Sequence, residues 1–300
     1  MLTGILNNLY KYDDLPEWYK DNEYVVDNYR PWDRSYKYYL KSIFKIHNET
    51  ANIWTHLTGC IFYILFIYIY NFIYFDYLSD IYNTTNAIIT NIYLVTAFIC
   101  FLFSTIMHTI HPKSNRICNN SCTIDYIGIT ILISGSYSPF IYYLFYCDKT
   151  LEKIYIIVIN SLAIINIAIC FLSFMYNSKY FRYKALVYII YILFILVPLF
   201  NKYIKDGFTF KKEILYDIKY YFLSLLVYII AISFYLTRFP EKYFKIKYFN
   251  SHSYFHIFSF IGSVCILISI FEIQFLYNNI NCNNISYIKY SLISSKKDLI

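Results

Sequence analysis

The stretch IITNIYLVTAFICFLFSTIM, residues 88–107, contains no charged residue over 20 positions. The hydrocarbon core of a bilayer is about 30 Å thick, and an α-helix needs about 20 apolar residues to cross it. The polar side chains in the stretch are small or neutral, so a helix can satisfy its backbone internally while these groups bond to neighbouring turns. The segment therefore predicts a membrane-spanning helix, and similar segments lie on both sides of it.

The composition of the chain excludes a soluble protein. Soluble domains are roughly half apolar and about a quarter charged, whereas these 300 residues are 58% hydrophobic and only 15% charged. An aromatic content of 23% excludes low-complexity disorder, and 8 Cys are too few for a disulfide scaffold of this length. The net charge of +7 does not indicate nucleic-acid binding, because Lys and Arg flank the apolar runs. We therefore expect a multi-pass integral membrane protein, of the plasma membrane or an endomembrane, with no nucleic-acid partner.

Seven segments are long and apolar enough to be spans. They are Ile53–Phe75, Ile88–Met107, Ile124–Tyr146, Ile154–Tyr176, Ala185–Phe200, Tyr220–Thr237 and Tyr254–Tyr277. The predicted fold class is all-α, a seven-transmembrane helix bundle. The fifth segment is short and contains Pro198, so fewer spans with a re-entrant piece is the alternative.

The distribution of basic residues predicts the orientation. With seven spans, the N-terminus and the loops after spans two, four and six share one face and hold 16 of the 26 Lys and Arg. The positive-inside rule then predicts a cytoplasmic N-terminus and an extracytoplasmic C-terminus. Two glycosylation motifs, beginning at Asn83 and Asn284, would lie outside.

The residues before the first span are expected to form a cytoplasmic segment. Residues 1–52 lack the short apolar core of a cleavable signal peptide. Apolar side chains recur there at helical spacing with lysines on another face: Tyr36, Tyr39, Leu40, Ile43 and Phe44 against Lys37, Lys41 and Lys45. This pattern is typical of a short interfacial helix, and an ordinary linker is the alternative. Residues 53–277 would form the seven-helix domain and 278–300 a short extracytoplasmic tail.

Ionisable residues at membrane depth are expensive and indicate function. Ser104 and His108 end span two on one helix face, Asp125 lies at the start of span three, and His252 and His256 open span seven at i and i+4. These three span ends share one membrane face whichever way the protein is inserted. Three imidazoles with a carboxylate or water form the ligand set of a catalytic zinc site. The alternative is that single histidines at helix ends are interfacial and bind nothing.

The cysteines have weaker patterns. Cys118 and Cys122 lie in the predicted loop between His108 and Asp125, at the same face, but no second pair accompanies them, so a structural or incidental role is favoured over zinc. Cys147 and Cys282 would both face outside and could pair, which the sequence does not settle. His56 is expected to bond a neighbouring helix, and His111 to be a loop residue.

Several motifs in order along the chain carry a family resemblance. HNETANIWTH at residues 47–56, Ser104-x-x-x-His108, Asp125-Tyr126 and the SHSYFH block at residues 251–256 resemble the signature of the progestin and adipoQ receptor family. Adiponectin receptors, membrane progestin receptors and haemolysin III proteins belong to that family. The resemblance covers roughly residues 28–262.

The resemblance implies seven helices, an inside N-terminus and a zinc ion near the inner leaflet. It implies ligation by His108, His252 and His256. A water on the zinc would be held by Asp125, with Ser104 close by.

The functional prediction is a zinc-dependent lipid amide hydrolase of the ceramidase type, linked to receptor signalling. Asp125 would orient a water or take its proton, and Ser104 would steady the oxyanion. The alternative is a receptor or scaffold with a structural zinc, binding a lipid, steroid or protein ligand. A haemolysin-like, membrane-perturbing protein is a third reading.

Overall fold

The protein is described here from a computed structural model covering residues 9–74, 84–206, 218–246, 248–277 and 282. Within these ranges the chain forms helices and turns but no β-strand. The α-helices are α1 (Tyr36–Ser42), α2 (Thr50–Ile69), α3 (Thr84–Ile110), α4 (Asn115–Leu144), α5 (Lys149–Cys170), α6 (Phe181–Leu193), α7 (Leu196–Asp206), α8 (Lys219–Thr237) and α9 (Ser251–Tyr277). The predicted tail, apart from Cys282, and both glycosylation-motif asparagines lie outside the described residues.

The prediction of seven spans is confirmed. Seven helical segments of the described chain are long and apolar enough to cross a membrane: Thr50–Phe72, Thr84–Lys113, Asn115–Leu144, Lys149–Cys170, Ser178–Lys205, Lys219–Thr237 and Ser251–Gln274. Large apolar side chains such as Ile64, Ile157 and Leu226 are exposed on their outer surfaces, as lipid contact requires. The protein is a multi-pass integral membrane protein with an all-α bundle.

The fifth span is longer than the sequence predicts, and it is broken. It consists of α6 and α7, which meet at Phe194 and Ile195. Pro198 lies in the first turn of α7 and has no N–H to donate to the carbonyl of Phe194, so a continuous helix would lose that bond. The whole segment, Ser178–Lys205, is nevertheless long and apolar enough to cross a bilayer.

Helix α4 begins nine residues before the predicted start at Ile124. Ser114 caps it, its hydroxyl accepting the backbone N–H of Ile117 at 3.3 Å. Because the polar residues after Ser114 are helical, Cys118, Cys122 and Asp125 lie on one continuous helix. The two cysteines therefore lie on α4 and not in the loop in which they were expected.

Helices α3 and α4 approach each other closely because α4 has glycine at the contact. A Cβ atom on Gly135 would lie 1.9 Å from the hydroxyl oxygen of Thr96, and one on Gly128 would lie 3.2 Å from the Cα of Cys100. Small residues at such contacts are the usual means by which membrane helices pack. This packing fixes the end of α3, with His108, beside Asp125 of α4.

The chain before α1 folds onto one end of the bundle, which we call the N-terminal face. Leu15, Tyr19, Val25 and Tyr29 form a small buried cluster there. The fully buried Arg30 donates hydrogen bonds to the carbonyls of Thr109 (2.9 Å) and His108 (2.6 Å) at the end of α3. The expected helix before the first span is present as α1; Tyr36 and Leu40 are exposed, whereas Tyr39, predicted on the same apolar face, is fully buried.

The opposite face carries a disulfide. Cys147, after α4, is bonded to Cys282, with their Cα atoms 5.5 Å apart. The pairing that the sequence left open is therefore formed. Cys118 and Cys122, at the N-terminal face, are free thiols.

Candidate metal centre

Three histidines converge at the N-terminal face. One ring nitrogen each of His108, His252 and His256 lies within 4.8 Å of the other two, and Nε2 of His108 is 3.3 Å from Nε2 of His252. Two nitrogens bound at about 2.05 Å to one tetrahedral zinc ion would lie about 3.3 Å apart. The spacing of these two ligands therefore fits a metal of the size of zinc, and the cluster can bind a metal ion.

The local structure brings the three rings together from two helices. His108 lies on the last full turn of α3, and His252 and His256 lie on the first two turns of α9. Residues at i and i+4 share a helix face, so both α9 rings point toward the end of α3. The prediction that these span ends share one face of the bundle agrees with the structure.

The outer nitrogens of two rings are held by hydrogen bonds. Nδ1 of His108 donates to a carboxylate oxygen of Glu49 at 2.8 Å, and Nδ1 of His256 donates to the backbone carbonyl of Asn52 at 3.2 Å. A ring that donates through Nδ1 keeps a lone pair on Nε2 for a metal. Both outer partners come from the start of α2, so α2 orients rings carried by α3 and α9.

Glu49 is fixed in turn by two amides. Its carboxylate accepts the side-chain N–H groups of Asn52 at 2.8 Å and Asn48 at 2.9 Å. Burial alone would raise the pKa of this carboxyl, but the hydrogen bonds that it accepts from His108 and Asn52 hold it well below its usual range. Glu49 is therefore ionised, and it gives His108 the carboxylate–imidazole arrangement common among zinc ligands.

Asp125 and Ser104, the predicted catalytic pair, are buried beside this centre. Both line the cavity that contains the three histidines. Among the described residues, the group with metal-binding geometry consists of the histidines without a carboxylate. The Ser104 hydroxyl forms no hydrogen bond of ordinary geometry in the described part of the chain, but it lies close enough to the Asp125 carboxyl to interact with it. A water or ligand in the cavity would therefore meet these two groups together.

The cavity joins the metal centre to an apolar interior. Its volume is about 300 Å³; Trp18 and Lys20 line its mouth at the N-terminal face, and Leu132, Phe140 and Tyr221 line its inner end. Along α4, the 15 residues from Asp125 to Phe140 correspond to roughly 22 Å. One cavity thus offers polar groups at one end and a long apolar channel at the other.

Comparison with known proteins identifies the family. A family model described as "Haemolysin-III related" matches residues 44–267, a range that contains all three histidines, Asp125 and Glu49. The chain belongs to the haemolysin-III related family.

Relatives within this haemolysin-III related group include receptors by name. The chain is 32% identical to "Progestin and adipoQ receptor-like protein 1" of Caenorhabditis elegans over 68% of this chain and 48% of that protein. It is 36% identical to the "Adiponectin receptor protein" of Drosophila melanogaster over 53% of this chain and 35% of that protein. It is 34% identical to "Heptahelical transmembrane protein 1" of Arabidopsis thaliana over 63% and 58%. The chain thus spans about a third to three fifths of the length of these curated relatives, and the predicted resemblance is confirmed.

Glu241 is a site residue that was not predicted from the sequence. Its buried carboxylate accepts the backbone N–H of Ser251 at 2.6 Å, the Ser251 hydroxyl, and the amide of Asn22 at 2.8 Å. A carboxylate at a helix N-terminus is favoured by the helix dipole. Glu241 therefore fixes the first turn of α9 and, with it, His252.

Two other histidines differ from expectation. His56 forms no hydrogen bond to a neighbouring helix in the described chain; instead its ring stacks on His256 with centroids 3.6 Å apart. His111 is not in an open loop but in the short turn after α3. Its ring lines the cavity, and its Nδ1 lies 3.2 Å from the carbonyl oxygen of Met107. Both rings border the metal centre without belonging to the three-histidine group.

Proposed function

We propose that this protein is a zinc-dependent hydrolase that cleaves a ceramide-like lipid amide. The observation that supports this most directly is the position of three convergent histidines at the polar end of an otherwise apolar cavity. A lipid whose chains fill the apolar channel would have its amide at the polar end. The histidine donor set and the absence of thiolates from the described group favour zinc over copper(I).

We also propose that the N-terminal face is cytoplasmic. The larger number of Lys and Arg residues on the N-terminal side of the bundle favours this orientation, and so does the state of the cysteines. Disulfides persist in oxidising compartments and are rare in the cytosol. Cys147 and Cys282 are bonded at the opposite face, whereas Cys118 and Cys122 are free near the metal centre. Residues 1–52 would then be cytoplasmic, 53–277 the zinc-binding bundle, and 278–300 extracytoplasmic.

The residues of the site have separate roles in this reaction. His108, His252 and His256 would hold the zinc, which, when bound, polarises a carbonyl and lowers the pKa of water toward neutrality. Asp125 orients the attacking water and accepts its proton as the water oxygen bonds to the amide carbon. Ser104, beside Asp125, donates its hydroxyl to the developing oxyanion. The C–N bond then breaks, and Asp125 returns the proton to the leaving amine.

A receptor with a structural zinc is the second candidate, favoured by the names of two relatives. Such a zinc would have a closed coordination shell. In the described chain the three-histidine group includes no carboxylate. A metal held by three protein ligands keeps one coordination position open, which supports catalysis over a structural role. Hydrolysis and signalling are compatible if the released lipid is the signal.

The test is the metal content and ceramide turnover of purified protein in detergent. The pair to compare is the wild type and His252→Ala/His256→Ala, with Tyr254→Phe as control, since Tyr254 lies between the two histidines and its ring stacks on Phe234. We expect about one zinc per chain and fatty-acid release in the wild type and control, with both lost in the double variant. Zinc without release from any ceramide would favour the receptor, and a wild type without zinc would refute the metal centre.

A further inference from the structure

Two buried cationic side chains lie beside the metal centre, and the proposed mechanism does not use them. Lys184 lies on α6 and Arg238 directly follows α8; each is only 7% exposed, and both line the cavity. Basic residues at the ends of membrane helices normally extend their charged groups to water or head groups. These two instead face the protein interior, so the positive-inside pattern does not account for them.

Arg238 lacks a hydrogen-bond partner for its charge. Its Nη1 is buried and forms no hydrogen bond in the described chain. Its ion pair with Asp21 is loose, since the carboxylate oxygen lies 3.8 Å from Nη1, beyond hydrogen-bond distance. The guanidinium is held against the rings of Phe181 and Tyr235, with Cζ 4.4 and 5.4 Å from their centroids. Its direction is therefore fixed, while part of its donor capacity is unused.

The backbone at Arg238 also indicates that this side chain is needed. Its φ is 54°, in the left-handed region, where it ends α8. Glycine, or sometimes asparagine, is the usual residue at such a position, because a Cβ atom is disfavoured there. An arginine here gives up that conformational advantage and places a guanidinium in the cavity.

Lys184 is in a similar situation. Its ammonium donates to the hydroxyl of Tyr126 at 3.3 Å, and no carboxylate of the described chain lies within ion-pair distance of it. An ammonium has three N–H donors, so two are left for a ligand. Asp21, Arg238 and the two free thiols of α4 are the charged or titratable groups whose charges act on it. Asp21 is therefore the acidic group that Lys184 and Arg238 have in common, and its side chain is 64% exposed.

The two cations lie near each other, and Arg238 lies near the metal centre. Arg238 packs on Phe181, which is one helical turn before Lys184 on α6, and the charge of Arg238 acts on Lys184. Tyr235 contacts both Arg238, whose Cζ is 5.4 Å from its ring centroid, and His252, whose ring centroid is 5.7 Å away. A group bound at Arg238 would therefore lie about one aromatic ring away from His252. That separation suits two parts of one molecule, with its amide at the histidines and its head group at the cations.

We infer that Lys184 and Arg238 form an oxyanion subsite, which binds a phosphate or carboxylate on the head group of the lipid in the cavity. The inference rests on the proposed function in taking that occupant to be a lipid. Buried charges are costly unless paired and hydrogen-bonded, and the guanidinium fork and ammonium are the usual partners of oxyanions. A lipid head group is favoured over a free anion because the same cavity continues into the apolar channel.

The test measures binding without turnover. Full-length His252→Ala/His256→Ala protein in phosphatidylcholine nanodiscs removes hydrolysis and any metal–phosphate attraction. Its affinities for ceramide, ceramide phosphorylated on its primary hydroxyl, and inorganic phosphate would be compared. We expect the phosphorylated lipid to bind at least about tenfold more tightly than ceramide, as charge-assisted hydrogen bonds imply. Inorganic phosphate is expected to compete only weakly.

Matched variants assign the effect to residues. In the same background, Lys184→Gln and Arg238→Gln should each remove most of the preference, while Arg238→Lys should keep part of it. Arg182→Gln and Lys242→Gln are controls, because both side chains are exposed and neither lines the cavity. Helix content and thermal stability of each variant show that it is folded.

Three results would overturn the inference: equal binding of the two lipids, a preference unchanged by Lys184→Gln and Arg238→Gln, or inorganic phosphate binding as tightly as the phosphorylated lipid. None of these depends on turnover. A protein that never hydrolyses ceramide can still show the preference, so failure of the hydrolase and failure of the subsite are distinguishable.

Discussion

Removing the charge of Glu49 should weaken metal binding at a residue that does not touch the metal. The perturbation is Glu49→Gln, which keeps the shape of the side chain and an oxygen that can accept from Nδ1 of His108. It replaces a charge-assisted hydrogen bond of 2.8 Å with a neutral one. The side chain is only 14% exposed, so water screens this interaction little.

The expected size follows from the kind of contact. Outer partners of zinc-ligating histidines contribute about 10- to 100-fold in metal affinity. We expect Glu49→Gln to weaken the zinc affinity about tenfold, or by about 1.4 kcal/mol, because the geometry of the hydrogen bond is kept. Glu49→Ala should weaken it about 100-fold, or by about 2.7 kcal/mol. The alanine variant also leaves the amides of Asn48 and Asn52 without their acceptor.

The assay is zinc competition against a chelator of known affinity, on purified protein in detergent. Glu152→Gln is the control, since Glu152 forms an ion pair with Lys149 on another helix and should leave zinc affinity unchanged. If neither Glu49 variant changes the affinity while both stay folded, then Glu49 does not support His108 and the argument from the outer hydrogen bonds is wrong.

Two further perturbations test the packing around the centre. Gly135→Ala should destabilise the protein by about 1–3 kcal/mol, because the new methyl group would overlap Thr96. Thermal unfolding measures this loss against Gly128→Ala, whose nearest contact is 3.2 Å. Equal melting temperatures of the two variants would contradict the close approach of α3 and α4. Burial first, and then the charge of Arg30, lower the pKa of His47 to about 2. Its folded pKa is below the unfolded value of about 6.5, so it contributes stability at neutral pH that is lost as pH falls below 6.5, by about 1.4 kcal/mol per pH unit. His47→Gln should reduce that slope in melts between pH 7 and 5, and parallel slopes would refute the assignment.

The spans were predictable because lipid imposes one strong condition on sequence. A helix that crosses the bilayer must be apolar over about 20 residues, and that condition is visible without neighbours. Because successive spans cross in opposite directions, the number of spans also predicted that His108, Asp125 and His252 lie at one face. The break before Pro198 and the early start of α4 were not predicted, because hydropathy does not report a cap or a kink.

The roles of Glu49, Glu241 and Arg30 were not predictable, for a different reason. Acidic and basic residues at the ends of membrane helices are ordinary, and nothing local separates a structural partner from a solvated one. Arg30 bonds to carbonyls 78 and 79 positions away, and Asn22 to Glu241 across 219 positions. Contacts at such separations follow from the tertiary fold and leave no periodic pattern in the sequence.

The order of the chain has a consequence for biogenesis. Two of the three candidate ligands are on α9, the last span, and His252 meets His108 across 144 positions. The disulfide also requires a residue that follows α9, since Cys282 pairs with Cys147 across 135 positions. A nascent chain with only six inserted helices can form neither the three-histidine cluster nor the disulfide. Metal binding at the candidate centre and formation of the disulfide would therefore both report that the seventh helix has been inserted.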